Sequence, residues 1–139
     1  MSEYRKPLPV ADDLSRPYWE AARHGVLVIQ RCAACATYVH YPKAACPRCG
    51  SPDLRPTPVS GRGTVHTFTV SHYVGAPGFE NETPYVIALV ELEEQPGLRL
   101  ISNLRGCPPT AVRVGMPVEV TFEEVTPEVT LPQFKPRAS

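Results

Sequence analysis

Apolar residues change their spacing along this chain, and each spacing predicts a different kind of element. Leu14, Tyr18, Trp19, Ala21 and Ala22 form a rough stripe at helical steps. Ser15 offers a hydroxyl to the first free amides, Pro17 suits a first turn and Gly25 marks a stop, so a short helix is expected over about residues 16–24. A helix this short is marginal in water, and Tyr18 and Trp19 are expected to anchor it to a surface of this chain or of another. Residues 26–31 and 38–41 are short β-favouring runs on either side of the first cysteine pair.

From residue 64 the pattern is β throughout. Residues 64–73 are rich in β-branched and aromatic side chains, and residues 85–92 are apolar at nearly every position, which predicts a central strand buried on both faces. Residues 98–104 follow the turn at Gln95-Pro-Gly97. Val118, Val120 and Phe122 then alternate with Glu119, Thr121 and Glu123, and residues 129–131 supply a fifth strand. Five strands, interrupted over residues 107–115, suit a small closed barrel of the OB type better than a sandwich. The fold class is therefore mainly β: an N-terminal arm and short helix over 1–25, a knuckled unit and Pro-rich linker over 26–60, and an OB barrel over 61–139.

Composition narrows this further. The chain has 139 residues, 42% of them hydrophobic and 20% charged, with seventeen prolines against nine glycines. Proline is excluded from helix interiors and central strands, so short strands and stiff connections are expected, and residues 51–60 read as a rigid linker. Net charge is zero. It divides unevenly, with nine basic and five acidic residues over 1–63 and five and nine over 64–139. An acidic barrel on a neutral chain disfavours nucleic acid as a partner, and a nucleic-acid-binding module of knuckles and OB barrel is kept only as the alternative reading. No run approaches the ~18 apolar residues of a membrane span and the first ten residues lack a secretory signal, so a cytoplasmic location is expected.

The strongest chemical signal is Cys32-Ala-Ala-Cys35 and Cys46-Pro-Arg-Cys49, spaced C-x2-C-x10-C-x2-C. Two tight pairs of thiolates are what a tetrahedral Zn²⁺ requires, and iron is the alternative ion for the same ligands. Four protein ligands leave no position for water, so the expected site is structural. Cys107 is expected to be a small buried hydrophobe and His66 a barrel histidine on the face of Phe68 and Val70; His72 ends its strand, where a mouth or interface role fits better. His24 and His40 read as surface or ribbon residues. Gly61-Arg-Gly63 reads as a turn into the barrel, and Glu91, Glu93 and Glu94 as a solvated edge. No catalytic set emerges.

Pro17-Tyr-Trp-Glu20, the run from Gly25 into Cys32, Cys46-Pro-Arg-Cys49-Gly50, Gly61-Arg-Gly-Thr-Val65, Pro84-Tyr-Val-Ile-Ala-Leu-Val-Glu91 and Gly115-Met-Pro-Val-Glu-Val120 occur in this order. Together, over about residues 14–125, they resemble acyl-CoA-associated proteins with an N-terminal rubredoxin-like zinc ribbon and a C-terminal OB fold. The resemblance implies zinc on Cys32, Cys35, Cys46 and Cys49. It also implies a non-catalytic accessory subunit of a thiolase, a thiolase-like aldolase of steroid breakdown, hydroxymethylglutaryl-CoA synthase or a hot-dog-fold enoyl-CoA hydratase. On that reading Tyr18 and Trp19 dock on the enzyme, and Arg31, Lys43, Arg48, Arg55 and Arg62 are candidates for acyl-CoA phosphates. Ala36 stands where such a knuckle often has glycine.

Overall fold

A computed structural model describes residues 12–72 and 84–137. The expected arm at 1–11 and Tyr73 at the end of its strand lie outside the described residues. The first element is helix α1, Arg16–Arg23, with Pro17 in its first turn. Ser15 makes no cap to this helix. Instead Ser15 and Asp12 bond reciprocally: Asp12 Oδ1 accepts from the Ser15 N–H at 2.7 Å, and Ser15 Oγ accepts from the Asp12 N–H at 3.1 Å. This is capping-box geometry moved one turn upstream, with the acidic member first.

Three strands form the ribbon: β1 (Val28–Cys32), β2 (Tyr38–Val39) and β3 (Leu54–Pro58), in the order β2-β1-β3. The expected linker is thus partly a strand, and a rule of antiparallel pairing explains how it tolerates its prolines. Val59 N–H donates to Leu27 O and Ala33 N–H to Asp53 O. Ile29↔Thr57 and Arg31↔Arg55 lie between them and are the hydrogen-bonded pairs, whereas Pro56 and Pro58 pair with Gln30 and Val28 at the intervening positions. Their missing N–H groups would point away from β1, off the sheet edge, where no ladder bond is lost.

The remaining strands, β4 (Arg62–Ser71), β5 (Tyr85–Leu92), β6 (Arg99–Leu104), β7 (Pro117–Glu124) and β8 (Thr130–Pro136), close into a barrel in the order β4-β5-β6-β8-β7. This is the five-stranded OB-type arrangement. A 3-10 turn at Pro109–Ala111 lies in the expected interruption between β6 and β7. Two expectations about burial are corrected. β5 is fully buried only at Val86, Ala88, Val90 and Leu92, because a barrel wall has one inner face. His66 is the extra residue of a bulge in β4, between the pairs Val65↔Val90 and Thr67↔Leu89. The bulge reverses the alternation of the strand, so His66 is exposed while Val65 and Phe68 both face inward.

β8 runs beyond its expected end and repeats the proline rule. Arg137 N–H donates to Pro117 O, which leaves Pro132 and Pro136 with their nitrogens turned from β7 toward β6, where pairing is limited to Leu104↔Phe134. Phe134 is fully buried at the centre of a core that includes Leu27 and Ile29 of the ribbon side together with barrel residues such as Val65, Val90 and Val118. Helix α1 contacts both β1 and β8. Among the described residues no helix is long and apolar enough to cross a membrane.

Candidate metal centre and its surroundings

The two cysteine pairs sit on turns with the same backbone bonding. Ala36 N–H donates to Cys32 O at 2.8 Å and Cys32 N–H to Thr37 O at 2.9 Å; Gly50 N–H donates to Cys46 O at 2.9 Å and Cys46 N–H to Ser51 O at 2.8 Å. The fifth residue of each turn has positive φ, +65° at Ala36 and +79° at Gly50. The first knuckle therefore keeps the geometry that glycine would favour, despite its alanine.

All four sulfurs lie within 4.8 Å of one another, with Cys32 Sγ to Cys49 Sγ at 3.5 Å and Cys35 Sγ to Cys46 Sγ at 3.6 Å. A tetrahedral ion with metal–sulfur bonds of about 2.3 Å separates its ligands by about 3.8 Å, so the four residues fit Zn²⁺. The sulfurs are too far apart for disulfides, which need about 2.05 Å. Cys32 and Cys46 are buried, Cys35 is half-buried and Cys49 is exposed.

The electrostatics are those of a ligand set that needs a cation. The Thr37 hydroxyl, 3.2 Å from Cys35 Sγ, and the Thr37 amide bring the Cys35 thiol down to about 6. The Cys35 and Ala34 amides lower Cys32. The Ser51 amide also favours the Cys49 thiolate, but the sulfurs of Cys32, Cys35 and Cys46 outweigh it and push that thiol up to about 12. Four thiolates at these distances repel unless an ion sits among them. When bound, zinc supplies cross-linking of a unit that has little core of its own.

The other sequence-derived candidates fall in separate places. Tyr18 packs against the core and the edge of the Trp19 ring (4.9 Å between centroids), so half of the expected anchor is used within this chain. A row of rings continues through His40 to the exposed Tyr41, whose hydroxyl accepts from the Ile101 N–H at 3.2 Å. Of the two expected places, surface or ribbon, His40 takes the ribbon, half-buried directly after β2, and burial lowers it to about 4.

Of the basic residues, Arg31 and Arg55 face each other across β1 and β3, and Arg48 Nη1 reaches Thr37 Oγ1 at 3.5 Å, which places these three by the knuckles. Arg31 also donates to Ala36 O and lies over the Tyr38 ring, while Arg55 grips Asp53 through two bonds. Lys43 stands across the ribbon, with its backbone held by the Gln30 carboxamide. Arg62 is apart from these, at the start of the barrel, paired with Glu93 at 3.0 Å. Cys107 packs half-buried against the core with its thiol raised by burial, and His72 is exposed after the end of β4. Sequence reasoning missed Tyr41, and it missed Gln95, which bonds across from the barrel to β2. Neither residue carries a motif; only the fold brings them to their partners.

Two family models match the chain: the ChsH2 rubredoxin-like zinc ribbon domain over residues 19–55 and the ChsH2 C-terminal OB-fold domain over residues 56–123. A probable enoyl-CoA hydratase alpha subunit of Thermomonospora curvata is 45% identical over 131 residues; the match takes in 94% of this chain, which spans only 40% of the length of that relative. A DUF35 domain-containing scaffold protein of Methanocaldococcus jannaschii is 37% identical over 71% of this chain and 69% of its own. Among solved structures, the Ltp2-ChsH2(DUF35) aldolase contains a chain similar to this one with TM-score 0.83 and 45% identity, covering 92% of this chain and 98% of that one.

Proposed function

This chain belongs to the ChsH2 family of rubredoxin-like zinc ribbon and OB-fold proteins, and from that membership we propose that it is a non-catalytic accessory subunit of an acyl-CoA-processing enzyme. The observation that carries the reading is the likeness along nearly its whole length to a chain of an aldolase assembly, joined to a metal site closed by four cysteines. Relatives named as a hydratase alpha subunit and as scaffold proteins support the same reading. The partner is a thiolase-fold or hot-dog-fold enzyme, and the zinc is structural.

Docking falls to the ridge where Trp19, Tyr41, Pro42 and Ile101 line a shallow apolar pocket, with Tyr41 52% and Ile101 61% exposed. Aromatic anchors of this kind dominate interface energetics. Arg31 and Arg48 by the knuckles, with Lys43, supply positive charge for acyl-CoA phosphates at the rim of the enzyme's site, whereas the charge of Arg55 is already met by Asp53. The test is affinity capture of the tagged chain at moderate salt from its native lysate, with copurifying proteins identified and metal assayed. Stoichiometric recovery of a thiolase, aldolase, synthase or hydratase, weakened by Ile101→Asp and Trp19→Ala, is the expected result. Recovery of only ribosomal or polymerase components would overturn it.

A further inference from the structure

The turn between β5 and β6 grips the ribbon at two points. The Gln95 carboxamide accepts from the Tyr38 N–H at 2.9 Å and donates to the Tyr38 carbonyl at 3.1 Å, the two bonds a neighbouring strand would make along the outer edge of β2. On the same turn Glu94 Oε2 accepts from the Ser60 N–H at 2.7 Å and Glu93 Oε1 from the Ser60 hydroxyl at 2.9 Å, just after the chain leaves β3. Arg62 in turn steadies Glu93. One short segment of the barrel thus holds the outer edge of β2 and the connection that leads from β3 into β4.

Tyr38 is in turn tied to the four cysteines. Its neighbour Thr37 accepts from the Cys32 N–H through its carbonyl and touches Cys35 Sγ through its hydroxyl, and Arg31 bridges Ala36 O and the Tyr38 ring. Gln95 can make its two bonds only if the Tyr38 amide and carbonyl are both held in place. The first knuckle holds them through Thr37.

We infer that the β5–β6 turn is a clamp that couples loading of the four-cysteine site to the seating of the ribbon on the barrel. Metal fixes the first knuckle, the knuckle presents Tyr38, and Tyr38 closes on Gln95. Coupling between two sites is reciprocal, so a closed clamp must raise metal affinity by the factor by which metal favours the closed clamp. The bonds from Gln95 to Tyr38 are not part of the barrel's ladders, of which only the last β4–β5 bond, Glu93 N–H to Arg62 O, touches the clamp, so releasing Tyr38 leaves the barrel folded. This holds whichever enzyme the chain serves.

The decisive variant is Gln95→Met in the full chain, which keeps the length of the side chain and removes both bonds. With zinc bound, amide exchange at Tyr38 should quicken about tenfold, the loss expected for two modest hydrogen bonds. Zinc affinity, measured by competition with a chelator, should fall. In the unsubstituted chain, stripping the zinc should expose the amides of Tyr38 and Ser60 while those of β5 and β7 stay protected. Unchanged zinc affinity in Gln95→Met would overturn the coupling, as would a zinc-free chain in which Ser60 stays protected. Should Gln95→Met disturb the turn itself, Gln95→Asn, with the same chemistry one methylene short, carries the same test.

Discussion

The two positive-φ residues of the knuckles make a matched pair on which the metal centre can be tested one atom at a time. A Cβ costs roughly 1–2 kcal/mol in the left-handed region, partly offset by the greater freedom glycine has in the unfolded chain. Ala36→Gly should therefore raise zinc affinity a few-fold, and Gly50→Ala, where a Cβ would meet nothing within 4 Å, should lower it by a similar factor. Chelator competition on the two variants checks both signs. His40 sets a pH limit of a different kind. Its ring is held neutral by burial, with a folded value of about 4 against 6.5 when free. The unfolded chain binds the extra proton between those values, so the contribution is complete above about pH 6.5 and is lost as the pH falls toward 4. Between pH 7.5 and 5.5 the loss should be about 1 kcal/mol in urea unfolding. His40→Gln should remove that part of the acid sensitivity and leave the part due to the cysteines. The metal ligands were legible in the sequence because ligation spacing is local chemistry. The burial of His40 was not, since Tyr18, which packs on it, comes from another element.

At the scale of elements, the prolines are where sequence and structure part. A Pro-rich stretch reads as a linker because proline removes donors, yet β3 pairs with β1 along its whole length. What composition could not show is parity: Pro56 and Pro58 fall on alternate residues, both with nitrogens facing off the sheet. β8 places Pro132 and Pro136 by the same rule. The period of the prolines, two in one strand and four in the other, was the available signal. In β3 the arrangement also closes an edge, since a strand adding to it would find no donors at those positions. The double variant Pro56→Thr, Pro58→Thr should keep the ribbon and its zinc but expose two new N–H groups. Concentration-dependent self-association, followed by light scattering, is the expected result; a strictly monomeric variant would argue that the prolines serve rigidity alone.

For the whole molecule, the barrel class was legible because five β runs and one interruption leave few closed arrangements, whereas the seating of the ribbon was not, since Gln95, Tyr41 and Glu94 act across long separations. Closure depends on one position read from sequence as part of a turn. Gly63 lies inside β4, paired with Leu92 of β5 on one side and Val118 of β7 on the other. A Cβ built there would lie 2.3 Å from the Glu91 carbonyl oxygen. That oxygen belongs to the backbone of a central strand and cannot rotate aside, so β4 and β5 must separate where β4 also closes the barrel against β7. Gly63→Ala should destabilise the fold by about 2–3 kcal/mol, the upper range of overpacking, and lower Tm by roughly 5–10 °C. Leu92 leads directly into the turn that carries Glu93, Glu94 and Gln95, so separating the strands here should also loosen the clamp and lower zinc affinity, which chelator competition would read beside the Tm. A Tm unchanged within a degree would mean that the seam between β4 and β5 yields more easily than its backbone contacts imply.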